Sequence, residues 1–154
     1  FPLQIKKFFI HEHYKGDIKN FQDDIALVKL KEELIISKEV RPACIDLNNT
    51  FESFDFLDGN NGIVTGWGYV ESGSTRSDTL KVITVPYRSP NICLEHLPID
   101  FGQEYFGPDK ICAGYKNENR NVCRGDSGGG LYFESGNKRY YVRGIVSITV
   151  YVEG

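Results

Sequence analysis

Asn121-Val122-Cys123-Arg124-Gly125-Asp126-Ser127-Gly128-Gly129-Gly130-Leu131 is the stretch on which the reading of this chain turns. A serine follows an aspartate and is flanked by glycines. Gly125 and Gly128 permit backbone conformations, and a close approach of a bound molecule, that a Cβ would obstruct. The backbone N–H groups of Gly125 and Ser127 can then point together at negative charge developing on a carbonyl oxygen. An ordinary glycine-rich turn is the bland alternative. Cys123, two residues before Gly125, and the further glycines after Ser127 set this segment apart from one. It reads as the seat of a nucleophilic hydroxyl.

The rest of the chain suits such a role. Its 154 residues are enough for one domain, 40% are hydrophobic and 25% charged, as in a soluble globular protein. The formal charge of −3 is spread without a basic stripe, so nucleic acid is not expected as a partner. The longest apolar run, Gly144 to Val152, is too short to span a membrane. The chain opens on Phe1-Pro2, with no basic segment before an apolar stretch, so no signal peptide is read and a cut from something longer is expected. Cys44, Cys93, Cys112 and Cys123 form no CxxC, and His11, His13 and His96 do not cluster with them. No zinc site, other metal or cofactor is expected. Disulfides in a secreted, extracellular domain are the better reading, with the pairing left open by spacing alone. Asn48-Asn49-Thr50 is a glycosylation sequon that fits that route.

β-Branched and aromatic runs broken by Gly, Asn, Asp and Ser predict strands at Leu3–Ile10, Ile25–Leu30, Ile63–Trp67, Leu80–Val85, Lys110–Ala113, Gly130–Phe133 and Arg139–Val150. Asp58-Gly59, Asn60-Asn61-Gly62, Glu71 to Ser74 and Ser135-Gly136-Asn137 signal turns, the last at hairpin spacing. Ser89-Pro90 predicts a short helix to about His96, with Ser89 as its cap. Lys29 to Lys38 is read as strand end and loop. The fold class is all-β, barrel or sandwich.

Taken with its surroundings, the Gly-Asp-Ser-Gly-Gly motif resembles that of the trypsin/chymotrypsin serine peptidases, whose triad is a worked template of this chemistry. Asp23-Asp24-Ile25-Ala26-Leu27 is similar to the family's aspartate segment, Arg41-Pro42-Ala43-Cys44-Ile45 to its linker, and Val64-Thr65-Gly66-Trp67-Gly68 to the turn that opens the second barrel. Lys110 to Gly114 is similar to the strand before the serine loop, and Gly144-Ile145-Val146-Ser147 to the substrate-pairing strand. The resemblance covers nearly the whole chain, in the family's order. It implies a trypsin-like double antiparallel β-barrel, here truncated, with 1–154 as one partial peptidase domain. A closing helix is missing at the C-terminal side.

The same resemblance assigns roles. Ser127 becomes the nucleophile and Asp24 the carboxylate that orients the base, a role preferred over that of a turn residue before a strand because Asp23 is available for the turn. Gly125 and Ser127 supply the oxyanion amides, and Asp126 the zymogen-activation ion pair with a newly freed N-terminus. Trp67 is read as a packed aromatic without chemical role. The base itself is expected in an Ala-Ala-His-Cys-like segment, and this sequence has none. His11, His13 and His96 do not fit that role, so the chain alone is expected to be inactive. Cys93–Cys112 is the internal disulfide the family implies, while Cys44 and Cys123 would pair with segments outside the chain. Another common family disulfide would join the positions of Gly62 and Phe133, and both cysteines are absent together.

Specificity follows from the same comparison. Asn121 takes the place at the base of the primary pocket where trypsin-like members hold an aspartate, and Val122, Ser147, Ile148 and Thr149 are substrate-binding positions. A neutral Asn121 binds Arg or Lys poorly, and Thr149 narrows the mouth where the family has glycine, so a small or medium uncharged side chain is expected. Expected partners are a protein substrate, protein inhibitors, and an N-terminal segment or light chain through Cys44. The Gly128 to Phe133 run is similar to modular serine proteases of arthropod haemolymph cascades. The competing reading is a non-catalytic homologue acting as a binding or regulatory module.

Overall fold

Ile5–Ile10 and Ala26–Leu30 form the antiparallel strands β1 and β2, paired from Ile5↔Leu30 to Ile10↔Ala26 with a bulge between Ile5 and Lys7. Residues 3–48, 50, 52–70, 75–116, 122–136 and 138–150 of the computed structural model are described here, 52 and 70 by backbone only. The chain divides into two units, Phe1–Ala43 and Cys44–Gly154. In the first, β1 and β2 leave Phe8, Phe9, Ile10, Leu27 and Val28 exposed. A 3-10 turn at Gly16–Lys19 lies between the two strands, and Phe21, Asn20 and Asp23 adopt left-handed backbone angles in the return.

The second unit is built on a five-stranded antiparallel sheet. Its strands are β3 (Asn61–Gly66), β6 (Lys81–Arg88), β7 (Cys112–Ala113), β8 (Gly130–Glu134) and β9 (Tyr140–Ile145), in the order β7-β6-β3-β8-β9. The short pair β4 (Tyr69–Val70) and β5 (Thr75–Arg76) forms a separate ribbon. Side chains alternate across a strand, so Val64, Val85, Tyr87, Leu131 and Phe133 fall on one face and make the core. Phe56, from beside the short helix α1 (Glu52–Asp55), packs its ring on Tyr87 and Phe133. Gly62 and Phe133 are register partners, and a Cβ on Gly62 would meet the Phe133 ring at 3.0 Å. Where the family resemblance implies a disulfide, a buried phenyl ring opposite a residue without a side chain fills the space. This all-β, antiparallel architecture is the fold class the sequence implies.

Arg143 on β9 carries a buried ion triad. Its Nε donates to Asp55 at 2.6 Å and its Nη2 to Asp46 at 2.8 Å, all three side chains being 7% exposed or less. Burial alone would lower the guanidinium's pKa. Hydrogen bonds and charge from Asp55 and Asp46 outweigh it and raise the value.

Several boundaries differ from the sequence reading. The last strand stops at Ile145 because the Val146 amide turns to the Gly129 carbonyl at 2.8 Å, which moves pairing from β8 to the serine loop. Strand β6 runs on to Arg88, while Lys110–Ala113 shrinks to the two residues that pair with it. Helix α2 (Pro90–His96) has the expected span, but the Ser89 side chain makes no capping bond. Instead Asp58 reaches across and accepts from the Ser89 amide at 2.8 Å. Helix α3 (Ile99–Tyr105) was not anticipated and carries a stacked Phe101–Tyr105 pair one turn apart. Trp67 is 59% exposed, not packed: the tight turn between β3 and β4 directs it away from the core. The Ser135 to Lys138 hairpin joins β8 to β9 as expected, with Asn137 outside the described residues. The turn expected at Glu71 to Ser74 also lies outside them.

Candidate active site

The loop before β8 is held by short-range bonds. The Asp126 amide donates to Cys123 O at 3.0 Å and the Gly129 amide to Asp126 O at 2.9 Å, which folds Cys123 to Gly129 into consecutive tight turns. Gly128 N donates to Val146 O and Val146 N to Gly129 O, both at 2.8 Å, so the loop is pinned against the chain leaving β9. Gly125 (φ +97°) and Gly128 (φ +85°) sit in the left-handed region that L side chains avoid. Ser127 lies between them, at the exposed bend. Among the described residues the Gly125 and Ser127 amides donate to no other group.

Asp126 turns inward. One carboxylate oxygen accepts from Gly68 N at 2.8 Å and the other from Cys123 N at 3.0 Å. A Cβ on Gly66 or Gly68 would collide with this carboxylate. The Gly66-Trp67-Gly68 sequence therefore makes room for Asp126, and the Tyr69 amide, donating to Arg124 O at 2.9 Å, ties the two segments together.

Ser127 opens on a cleft of about 220 Å³ that it shares with Val122, Cys123, Ser147, Ile148 and Thr149. Four sequence-assigned substrate positions thus converge on the serine; Asn121, the fifth, lies outside the described residues. Among the described residues of the second unit, His96 closes α2 and is not part of the cleft lining. Cys93 and Cys112 form a disulfide linking α2 to β7. Cys44 and Cys123 are half-buried and form no disulfide among the described residues, and Cys44 bridges to β9 in parallel, its carbonyl accepting from Val142 N at 3.0 Å. Asn48 is exposed in a turn.

Asp24 belongs to the first unit. It is half-buried just before β2, in a turn closed by Ile25 N donating to Asp23 O at 2.8 Å. The charge of Asp24, then burial, then a hydrogen bond to its carboxylate raise the Tyr14 hydroxyl above its ordinary pKa. Sequence reasoning did not pair Tyr14 with Asp24, because only the return of the β1–β2 connection brings the two together. It also missed that His11, His13 and Asp23 meet in space.

A glycine-cradled serine over a narrow cleft, on an antiparallel all-β scaffold, defines a serine protease-like domain. The chain belongs to the trypsin family, whose model matches residues 2–154. It is also similar to the serine proteinase stubble of Drosophila melanogaster, with 35% identity over 136 residues. That match covers 88% of this chain and 16% of the fly protein. At the family level the activity is that of serine endopeptidases. Among the described residues no helix is long and apolar enough to cross a membrane.

Proposed function

We propose that this chain carries the nucleophile of a secreted serine endopeptidase that works by Ser-His-Asp acyl-enzyme chemistry, within a zymogen of a proteolytic cascade. The observation that carries the reading is Ser127 at the mouth of a cleft lined by Ser147, Ile148 and Thr149, with Asp126 locked inward beneath it. Ser127 Oγ attacks the peptide carbonyl while a histidine takes its proton, and the histidine then gives that proton to the leaving amine. The Gly125 and Ser127 amides hold the oxyanion. Water releases the acyl group with the histidine acting again as base. Asp24 orients the imidazole and stabilises its charged form. The 154 residues contain no Ala-Ala-His-Cys-like segment, so the base comes from outside them and this chain alone turns over no substrate. Loss of the base from such a unit costs on the order of 10⁶ in turnover in another serine peptidase.

Asp126 is read as the acceptor for a freed N-terminal ammonium, which would replace part of its present amide pairing. Cys44 and Cys123 pair with cysteines outside the chain, Cys44 with a light chain or propiece, and Asn48 carries a glycan. Protein substrates and protein inhibitors are the expected partners. Asn121 and Thr149 favour a small or medium uncharged side chain before the scissile bond.

The test is a fluorophosphonate probe on the complete peptidase domain after zymogen cleavage. Labelling at Ser127, lost in Ser127→Ala, is the expected result. A domain whose upstream sequence lacks histidine in an Ala-His-Cys context, and which takes no label, is a binding or regulatory homologue instead.

A further inference from the structure

We propose that His11, His13 and Asp23 form a binding site for a divalent transition-metal ion, zinc foremost. The site is apart from the catalytic reading and departs from the sequence expectation of no metal. Three features carry it. The register of β1 and β2 ends at Ile10↔Ala26, and the His11 amide continues it by donating to Ile25 O at 3.4 Å. This places the residue after β1 opposite the segment leading into β2. The turn closed by Tyr14 N donating to His11 O at 3.0 Å then brings His13 back beside His11, their ring centroids 5.1 Å apart. Asp23, with φ at +55°, meets both: its Oδ2 lies 3.9 Å from His11 Nδ1 and 3.8 Å from His13 Nδ1.

One ligand atom from each residue lies within 4.8 Å of the others. Donors about 2.0–2.2 Å from a tetrahedral zinc are roughly 3.4 Å apart, so closing on an ion asks these side chains to move by less than about 1.5 Å. His11 and His13 are exposed and Asp23 is half-buried, so such rotations meet little packing. Two neutral imidazoles and one carboxylate, with water in the fourth position, form a donor set suited to zinc or copper rather than calcium or magnesium. The ligands come from both ends of the β1–β2 connection. Binding therefore cross-links the long loop that returns the chain to Asp24.

The test is direct titration of the full chain with zinc chloride by calorimetry at neutral pH, with cobalt as a spectroscopic probe. One equivalent is expected to bind. Because second-shell changes alone cost 10–100-fold in affinity at metal sites, His13→Gln and Asp23→Asn should each weaken binding at least about tenfold. Circular dichroism of each variant guards against misfolding. The cobalt spectrum should show nitrogen and oxygen ligation without a sulfur charge-transfer band. Unchanged affinity in folded variants, or a sulfur band that puts the ion on Cys44 or Cys123, overturns the site. Neither readout needs peptidase turnover, so the outcome is independent of whether Ser127 is catalytic.

Discussion

Tyr14 reports on Asp24 through a single proton. The Asp24 carboxylate beside it raises the hydroxyl's pKa, so the folded state holds that proton more tightly than the unfolded chain. The stabilisation is whole below pH 10, the ordinary tyrosine value, and is lost as pH climbs through the higher folded value. A difference absorbance titration against Tyr14→Phe isolates this residue among nine tyrosines. Asp24→Asn is expected to bring the transition back toward pH 10; an unmoved transition removes Asp24 from the contact. Gly68 is the second residue-scale test. A methyl group at Gly68→Ala would strike the Asp126 carboxylate, and overpacking of this kind costs about 1–3 kcal/mol. Urea unfolding should show that loss together with weaker fluorophosphonate labelling of the complete domain. A variant as stable as the parent would mean Asp126 is free to move aside.

At the scale of elements, β9 pairs with β8, carries the arginine of the ion triad and leads into the segment that lines the cleft. Arg143 faces Asp46 and Asp55 with all three side chains buried, and removing it takes the guanidinium away from two buried carboxylates. Arg143→Met is expected to cost about 3–5 kcal/mol in denaturant unfolding. A loss within 1 kcal/mol, the range of exposed pairs, would show the triad to be hydrated. β-Branched and aromatic runs bounded by turn residues made most strands of this sheet readable, because such side chains pack well on a pleated surface. They could not show where β9 ends. That end depends on Val146 exchanging its partner for Gly129, a contact between residues distant in sequence. Helix α3 was hidden for a related reason: Gly102 in its middle has poor helix propensity, and tertiary context overrides it.

Across the whole molecule, the Cys93–Cys112 bridge closes a loop with a sequence separation of 19. Cross-linking a loop of this size removes unfolded-chain entropy worth roughly 3 kcal/mol. Replacing both cysteines by alanine should lower the urea midpoint accordingly, and an unchanged midpoint would mean the loop stays ordered when unfolded. Specificity belongs to the same scale, since the cleft at Ser127 is completed by Val146 to Thr149, a segment distant in sequence. In the complete peptidase, Asn121→Asp is expected to shift a peptide-library profile toward Arg and Lys. An unshifted profile would remove Asn121 from the pocket base.

The order of motifs from Asp24 to Ser147 was enough to establish the family and the all-β class, and to single out Ser127 as the proposed nucleophile. Chemistry of this kind demands particular residue types at particular backbone angles, and Gly125 and Gly128 write those angles directly. Folding alone decided what lies next to what. It put Asp126 against Gly68, Phe133 into the space opposite Gly62, Arg143 between two aspartates, and His11 and His13 around Asp23. Each of these depends on strand register and loop return, which bring together groups that local sequence patterns treat as unrelated.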